Sequence, residues 1–292
     1  MFLDNKRGYV QDWITQQWVK YTGKRISPES YPWLMGPIGD VRLIKDQYID
    51  TLRKKENLVL KENVPGSGLI EHTDQFGFTG DQKSTINAQI LDFYTHTITY
   101  DLDFWSKWYG GYKFMGQLLS VIFSKRLQQL NIPLDPLEST KGIDSNILKL
   151  ISDQENTKYT IWYRKVRSTG QVIYSGLYDT VFLDSIREHC IRVIFPLPNG
   201  NATVIMRKEV LPDGSLKLVS SGKKIGDPGF YFVLLKGSTY YTRFVRSVQE
   251  LIHVYVDDNE QLRTDHQLKF YGSTVFGLHY KMMKRKDPPI GY

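Results

Sequence analysis

Three histidines are evenly spaced towards the end of the chain, and imidazole is the side chain best suited to acid–base work or metal binding near neutral pH. His253, His266 and His279 are each 13 residues apart and fall on three successive predicted strands. With two-residue turns at Asn259-Glu260 and Gly272-Ser273, the three imidazoles would lie in one cross-strand row. Imidazoles on neighbouring strands can share a transition metal.

The hydrophobic pattern favours another register, shifted by one residue in each pairing. In it, the apolar residues of 252–256 share a face with His266 and Tyr280, whereas His253 and His279 lie on the opposite, polar face. A buried sheet face fixes register strongly, because a one-residue slip turns every side chain over. The sequence therefore predicts no metal site, and no residue pattern implies a cofactor.

In the favoured register, His266 points inward with Tyr280 opposite and apolar neighbours around both. A buried imidazole beside a phenol is one of two things. It is a satisfied core pair, since buried polar groups mostly bond to one another or to backbone, or it is a polar handle inside a cavity. The second would orient a mostly apolar ligand, or let His266 act as general acid or base with Tyr280 or Asp265 as its partner.

Aromatic residues are concentrated in one segment, with nine between Phe93 and Phe114. Aromatic side chains fill space, and those of Trp and Tyr also carry a polar tip. The segment therefore either packs between helix and sheet or forms one wall of a pocket for an apolar or ring-shaped ligand. In the pocket interpretation, Trp105, Trp108 and Tyr112 are ligand-binding residues.

A hairpin around Asn199-Gly200 supplies a third set of candidates, because Asn-Gly between apolar runs is typical of a type I′ turn. Its pairing places Arg192, Arg207 and Glu209 on one face. An exposed sheet face is normally polar, so solvated charge is one interpretation. If the face lines a cavity, the guanidinium groups, Arg207 among them, would bind a carboxylate or phosphate.

Composition limits the classes of protein this chain could be. The 292 residues are 41% hydrophobic and carry a net charge of +7, which is ordinary globular composition. One cysteine excludes a disulfide framework, and no apolar run approaches the length of a membrane span. The start has no secretory-signal pattern, so a cytoplasmic protein is expected.

The charge distribution bears on partners. The tightest basic cluster, near the C-terminal end, has only Met282 and Met283 between its charges. Nucleic-acid binding favours basic and aromatic residues interleaved on one element, so no nucleic-acid partner is expected. Peripheral membrane contact stays open as the lesser alternative, and the sequence does not specify an oligomeric state.

The elements that must position these residues follow from hydrophobic period and turn residues. We predict a helical extension over residues 1–66, with one helix that ends at Gly23 and a second from Asp40 to Glu56. An α+β domain is predicted over 67–292, with the boundary at Pro65-Gly66-Ser67-Gly68. Helices are predicted within about 84–151, including a strongly apolar one over Phe114–Leu130 that is a core helix or, alternatively, an in-plane membrane helix. An antiparallel sheet is predicted over about 155–283.

The predicted fold class is therefore α+β, with a helical N-terminal half packed on a strongly curved antiparallel sheet or incomplete barrel formed by the C-terminal half. Several runs resemble blocks of an uncharacterised bacterial protein family. They are Phe195–Thr203, Gly226–Tyr231, Leu262–His266, Leu278–Tyr280, the Trp105–Trp108 region and Phe123–Asn131. That family has no assigned activity, so the resemblance implies no catalytic residue.

The predicted architecture is also similar, without shared motifs, to START-like helix-grip lipid-binding folds, although a fold does not fix a function. The functional prediction is binding of a small, largely apolar ligand, lipid-like or aromatic, in a cavity between helices and sheet. The first alternative is an enzyme that uses the same cavity with His266 as acid or base. The second is a structural or interaction protein with no ligand.

Overall fold

A computed structural model describes residues 10–40, 47–110, 143–167, 170 and 172–285. Strands account for 51% of it and helices for 20%. The strands are β1 (Lys24–Ile26), β2 (Val59–Glu62), β3 (Tyr100–Trp108), β4 (Ile143–Ile151), β5 (Thr157–Val166), β6 (Val172–Leu183), β7 (Glu188–Leu197), β8 (Gly200–Val210), β9 (Leu216–Val219), β10 (Gly229–Lys236), β11 (Thr239–Phe244), β12 (Val248–Val256), β13 (Leu262–Phe270) and β14 (Ser273–Lys284). The helices are α1 (Val10–Thr22), α2 (Gln47–Glu56), α3 (Gly80–Thr85) and α4 (Ala88–Thr95), with short 3-10 helices at Pro32–Leu34, Thr73–Phe76 and Thr97–Thr99.

The fourteen described strands form one open sheet with a branch. The main path runs β2-β4-β5-β6-β7-β8-β9-β12-β13-β14-β3, and the branch β10-β11-β1 leaves it at β8. The pairings between these strands are antiparallel, so short hairpin turns connect most of them. The sheet is the framework on which every candidate site residue in the described part of the chain is placed.

The sheet curls strongly along its main path. Arg164 on β5 contacts Tyr280 on β14, although many strands separate them in the pairing order. Arg285, just after β14, also donates from Nη2 to the carbonyl oxygen of Ser145 on β4, at 3.2 Å. We call the face enclosed by this curl, which carries Arg164 and Tyr280, the inner face.

Alternation along each strand decides which residues reach the inner face. On β3, Tyr100, Leu102 and Phe104 are buried, while Asp103 and Trp105, which alternate with them, are exposed. Cross-strand pairing then places Phe104 beside Tyr280 of β14. Side chains alternate with a period of two, and paired residues on neighbouring strands point to the same side of the sheet. The inner face can therefore be followed from strand to strand through the pairings.

Helix α4 covers one end of the inner face. Asn87 caps its start, since the side chain accepts a hydrogen bond of 2.9 Å from the backbone N–H of Gln89. Ile90 and Phe93 of this helix are buried in the same core as the inner-face residues. The Phe93 ring lies edge-on to Trp162 of β5, with 6.2 Å between centroids.

The predicted helical N-terminal half is wrong, and so is the α+β class. Residues 100–108 and 143–151, which we expected to be helical, are strands β3 and β4 of a mostly antiparallel-sheet protein. Aromatic and β-branched residues fit a pleated, half-buried surface, and in this segment their alternation outweighed an approximate helical spacing. The predicted helix over Phe114–Leu130 lies outside the described residues.

The first 66 residues are only partly helical. The helix predicted up to Gly23 is confirmed as α1, and the backbone N–H of Gly23 bonds to the carbonyl of Val19 at 2.9 Å. The next predicted helix, which we started at Asp40, is described from Gln47 as α2. Strand β1 pairs with β11 and β2 pairs with β4, so this segment contributes to the sheet. The division of the chain at residue 66 stays a prediction.

None of the helices in the described ranges combines the length and the apolarity that a bilayer crossing requires.

Candidate functional site

The face assignment of the predicted site residues on β12 to β14 is confirmed. Ile252 pairs with His266, and His266 pairs with Leu278, so these residues share the inner face. Tyr280 lies on the same face but pairs with Thr264 rather than standing directly opposite His266. The two residues are therefore neighbours on the inner face, one cross-strand row apart.

Other predicted ligand-binding residues are not brought together. Trp105 faces outward and is 47% exposed, whereas Trp108 lies on the inner-face side of the same strand. The three-residue spacing of these tryptophans suits one face of a helix but gives opposite faces of a strand. Tyr112 lies outside the described residues.

Arg207 also points outward. It is exposed, and its guanidinium lies 3.8 Å from Glu209 on the same strand. Arg192 shares that outer face but is committed elsewhere, because it pairs with Asp179 and donates to the carbonyl of Trp33 at 2.8 Å. The structure does not bring these two guanidinium groups together as an anion clamp.

A different arginine, which the sequence analysis missed, occupies the inner face. Arg164 of β5 is 7% exposed. Its guanidinium carbon lies 4.3 Å from the ring centroid of Trp162, 4.4 Å from that of Tyr174 and 5.5 Å from that of Tyr280. Three aromatic rings thus surround one buried cation, an arrangement in which each ring face attracts the positive charge.

Arg164 has few hydrogen-bond partners for a buried arginine. Its Nη1 donates to the hydroxyl oxygen of Tyr280 at 3.4 Å, and its Nε has no acceptor. Across the described residues, no carboxylate lies within the 4 Å of an ion pair with it. By contrast, Arg53 and Arg285 each lie within 4 Å of an aspartate carboxylate, whereas Arg243 shares with Arg164 a buried Nε without a hydrogen-bond partner.

The phenols around Arg164 do not neutralise it. Burial raises the pKa of Tyr174 and of Tyr178 above the ordinary range, so both remain protonated at neutral pH. Their hydroxyl oxygens share a hydrogen bond of 2.8 Å, which uses one donor and one acceptor of the pair. Glu250, on the same face, also raises the pKa of both phenols. No described carboxylate, Glu250 included, forms an ion pair with Arg164, so its positive charge is not directly paired.

An imidazole–carboxylate pair lies further along the inner face. His266 Nε2 is 3.3 Å from a carboxylate oxygen of Glu250, and both side chains are mostly buried. The backbone N–H of Glu250 donates to Ser220 Oγ at 2.7 Å, which holds this part of β12 in place. His266 is therefore a partnered group rather than a free one.

Trp108 adds a second unsatisfied donor on the inner-face side. Its indole Nε1 is buried without an acceptor, and its ring packs on Phe276 with 4.4 Å between centroids. Trp108 lies four residues along β3 from Phe104, or about 13 Å in an extended strand. The unsatisfied groups on this face, Arg164 and Trp108, are both donors.

The other two histidines of the predicted row lie on the outer face. His253 Nε2 is 2.9 Å from Ser215 Oγ, and His279 Nδ1 is 2.5 Å from a carboxylate oxygen of Asp265. His266 faces the opposite way, so the three-histidine row does not form. Among the described residues no cluster of three or more His, Cys, Asp or Glu side chains could hold a metal ion.

A small, partly open pocket lies away from the inner face, between residues 37–40, α2 and Pro196. Tyr48, Thr51, Leu52 and Lys55 contribute its α2 wall. None of the predicted site residues lines it. The hollow between helices and sheet that we predicted therefore stays a prediction.

No protein-family model, no curated protein and no solved structure matches this chain. This result agrees with the expected resemblance to a family without an assigned activity. No fold-level support exists for the START-like analogy, whose helical half the structure contradicts.

The sequence contained one signal for Arg164. Trp162, Arg164 and Val166 alternate along a predicted strand, which places a cation between two apolar residues on one face. The other face, with Ile161 and Tyr163, is equally apolar, so alternation alone does not tell which face is buried against the core. The contacts of Arg164 with Tyr280 depend on the curl of the sheet, which no local pattern encodes.

Proposed function

We propose that this protein binds a small molecule with an aromatic or aliphatic body and one acidic group, on the inner face of the curled sheet. The observation that carries the proposal is Arg164, a buried cation among three aromatic rings without an adjacent carboxylate. The apolar, lipid-like or aromatic body is the ligand class predicted from the sequence. The acidic group would supply the counter-charge that the guanidinium of Arg164 lacks.

Energetics favour a ligand at this position. Removing a cation from water costs several kcal/mol unless it is paired and hydrogen-bonded. Cation–π contacts with Trp162 and Tyr174 each offset about 0.5–2 kcal/mol of this desolvation cost. An arriving carboxylate would offset more, since it could accept from both Nε and a terminal nitrogen of Arg164 in a bidentate pair.

The surrounding side chains suit the rest of such a ligand. Trp162, Tyr174 and Tyr280 offer ring surface for an apolar body, and the Tyr280 hydroxyl lies beside the guanidinium as an additional polar group. The unsatisfied indole N–H of Trp108 would serve a further acceptor at the other end of the face. The donors fit an acceptor-rich molecule and do not fit a cationic one.

The test is uptake of acids by the purified full chain. Decanoate and phenylbutyrate are titrated by calorimetry and native mass spectrometry, together with their uncharged alcohol and amide counterparts. We expect the acids to bind at least about tenfold more tightly than the neutral analogues, as a charge-assisted hydrogen bond implies. Arg164→Met should abolish this preference, and Arg207→Met, which removes an exposed arginine, should keep it.

Equal binding of acids and neutral analogues would overturn the proposal. So would an Arg164→Met variant that folds, as judged by circular dichroism, and binds the acids as the parent protein does. If none of the probes binds, the ligand co-purifying with freshly isolated protein is extracted and identified. A recovered molecule without an acidic group would then count against the assignment of Arg164.

Acid–base catalysis on the same face is the second candidate, favoured by the 3.3 Å pair of His266 and Glu250. A carboxylate that orients an imidazole is a common feature of general acid–base sites. The discriminating measurement is the chemical identity of the bound acid after incubation. An enzyme would convert it, and His266→Gln would stop conversion without stopping binding, whereas a binding protein returns the molecule unchanged.

A cytoplasmic location is part of this proposal. It is supported by the one cysteine of the chain, Cys190, which is a buried free thiol. Structural disulfides are rare in the reducing cytosol, so a chain without a cysteine pair needs no oxidising compartment.

A further inference from the structure

Helix α1 exposes an unusual amount of apolar surface for its length. Four large apolar side chains on it are exposed: Trp13 (60%), Ile14 (57%), Trp18 (38%) and Tyr21 (74%). We call this set the aromatic face of α1. Contiguous exposed apolar patches usually mark an interaction site, whereas scattered single residues do not.

The aromatic face lies opposite the side by which α1 is held. Val19 is 2% exposed and packs in a cluster with Ala202, Phe232 and Leu234 of β8 and β10. At about 100° per residue, the aromatic face spans an arc of about 140°, and Val19 lies roughly opposite its centre. The aromatic face is therefore the outward surface of a docked helix and not a loose end.

Cations adjoin the aromatic face. Between residues 12 and 25 there are three cations, Lys20, Lys24 and Arg25, and one anion, Asp12. Lys20 Nζ lies 5.0 Å from the ring centroid of Tyr21. Lys24 Nζ donates to the neutral hydroxyl of Tyr31 at 2.7 Å. None of the three cations has an ion-pair partner within the described ranges, so their positive charge is not neutralised there.

A fourth cation comes from the sheet. The guanidinium of Arg243 on β11 lies 5.7 Å from the ring centroid of Trp18. It also donates from Nη1 to the carbonyl of Thr22 at 2.7 Å, at the C-terminal end of the helix. Arg243 thus fixes the end of α1 and adds positive charge beside the aromatic face.

We propose that α1 is a membrane-docking element that binds an anionic lipid surface. Trp and Tyr favour the headgroup level of a bilayer, where the ring is apolar and the polar tip stays hydrated. Lys and Arg beside them are attracted to anionic lipid, and an amphipathic helix of this kind lies in the plane of the interface. The charge of the surrounding cations is what favours lipid over a neutral apolar partner.

This inference is independent of the proposed inner-face site, because α1 contributes no residue near Arg164. The test uses sedimentation of the full chain with vesicles of phosphatidylcholine alone and of phosphatidylcholine mixed with phosphatidylglycerol. We expect binding to the mixed vesicles only, with a blue shift of tryptophan emission, and release at high salt.

Two double variants separate the contributions of ring and charge. Trp13→Ala with Tyr21→Ala should lower the vesicle partition coefficient by at least about tenfold, since two interfacial rings are lost. Lys24→Gln with Arg25→Gln should lower it by about fivefold per cation on anionic vesicles. All four positions are exposed, so circular dichroism and thermal melting should match the parent protein.

Matched controls are available elsewhere on the surface. Trp105→Ala with Tyr271→Ala removes two exposed rings, and Lys223→Gln with Lys224→Gln removes two exposed cations. Both should bind vesicles as the parent protein does. The proposal is overturned if the parent protein stays in the supernatant with anionic vesicles, or if the α1 variants sediment as strongly as the controls. A concentration-dependent dimer that the Trp13/Tyr21 variant abolishes, without vesicle binding, would instead assign the aromatic face to a second copy of the chain.

Discussion

Arg164 and Tyr174 stand directly opposite each other on neighbouring strands, and the guanidinium carbon lies 4.4 Å from the centroid of the phenol ring. The contact places a permanent positive charge against an aromatic face in the interior of the sheet. A cation in this position is expensive to keep without a counter-charge. Its presence is therefore better explained by a ligand than by stability.

Arg164→Met should make the ligand-free protein more stable, by about 1–3 kcal/mol. Replacing a buried charged group by an apolar side chain of similar length removes a desolvation cost and keeps the packing. Urea denaturation measures the change. A clear loss of stability would mean that Arg164 is a structural residue and would remove the energetic argument for a ligand.

Arg192→Met should have the opposite effect and destabilise the protein. This guanidinium pairs with Asp179 and donates to two backbone carbonyls, those of Trp33 and Met35. Its removal leaves those acceptors without their donor, so we expect a loss of about 2–4 kcal/mol in the same denaturation experiment. Opposite signs at Arg164 and Arg192 would separate a functional arginine from a structural one.

Tyr280→Phe should weaken binding of the acidic probe by about threefold to tenfold, because it removes one neutral hydrogen bond beside the guanidinium. The ring contact with Phe104, at 5.8 Å between centroids, is retained. Stability should change by less than about 1 kcal/mol. Calorimetric titration of the variant gives the result, and an unchanged affinity would place the ligand away from Tyr280.

Asp92 should make the stability of the folded protein depend on pH in the acid range. Burial alone would raise the pKa of this carboxyl, but hydrogen bonds from Tyr100, at 2.6 Å, and from Lys284, at 2.9 Å, outweigh it and lower the pKa below 3.8. A lowered folded-state pKa contributes stability above the unfolded value, and the contribution is lost as pH falls through the folded-state pKa.

Asp92→Asn should therefore cost about 1 kcal/mol at neutral pH, and the difference from the parent protein should shrink towards zero as pH falls below about 4. Thermal melting between neutral and acid pH measures it. Asp258→Asn, at an exposed position, is the control and should track the parent protein throughout. A difference that persists unchanged into acid would show that the carboxylate charge is not what holds α4 to β3 and β14.

Gly200→Ala should destabilise the protein by about 3 kcal/mol or more. An added Cβ would lie 1.9 Å from the carbonyl oxygen of Val233, which is backbone and cannot rotate away. Gly80→Ala is the control, because nothing lies within 4 Å of its added Cβ, and helix propensity favours alanine there. Near-equal melting temperatures of the two variants would contradict the close approach of β8 and β10.

Part of this arrangement could be read from the sequence. The inward face of His266 and Tyr280 followed from alternation across three strands, because apolar residues on one face fix the register. The position of Trp105 did not follow, since the segment that contains it was predicted to be helical and is strand β3. Helical and strand periods are hard to tell apart in a short segment rich in aromatic residues.

The central residue of the candidate site was not predictable by the same means. Arg164 and Tyr280 are 116 residues apart and meet because the sheet curls, which is a property of the whole strand set. The Glu250 partner of His266 was equally hidden, because it lies diagonally across a strand pair and not opposite it. Local patterns assign faces, whereas contacts between distant strands depend on twist and coiling.

Strand β8 has two successive neighbours along one of its edges. Residues 200–205 pair with β10, and residues 207–210 pair with β9. One limb of the resulting fork leads through β9, β12 and β13 to β14, which carries Tyr280, and the other leads to β10 and β11, against which α1 packs. Because both limbs pair with one uninterrupted strand, unfolding of β8 would break both backbone ladders at once. Hydrogen exchange should therefore find the amides of β9 and β10 opening together, as one cooperative unit.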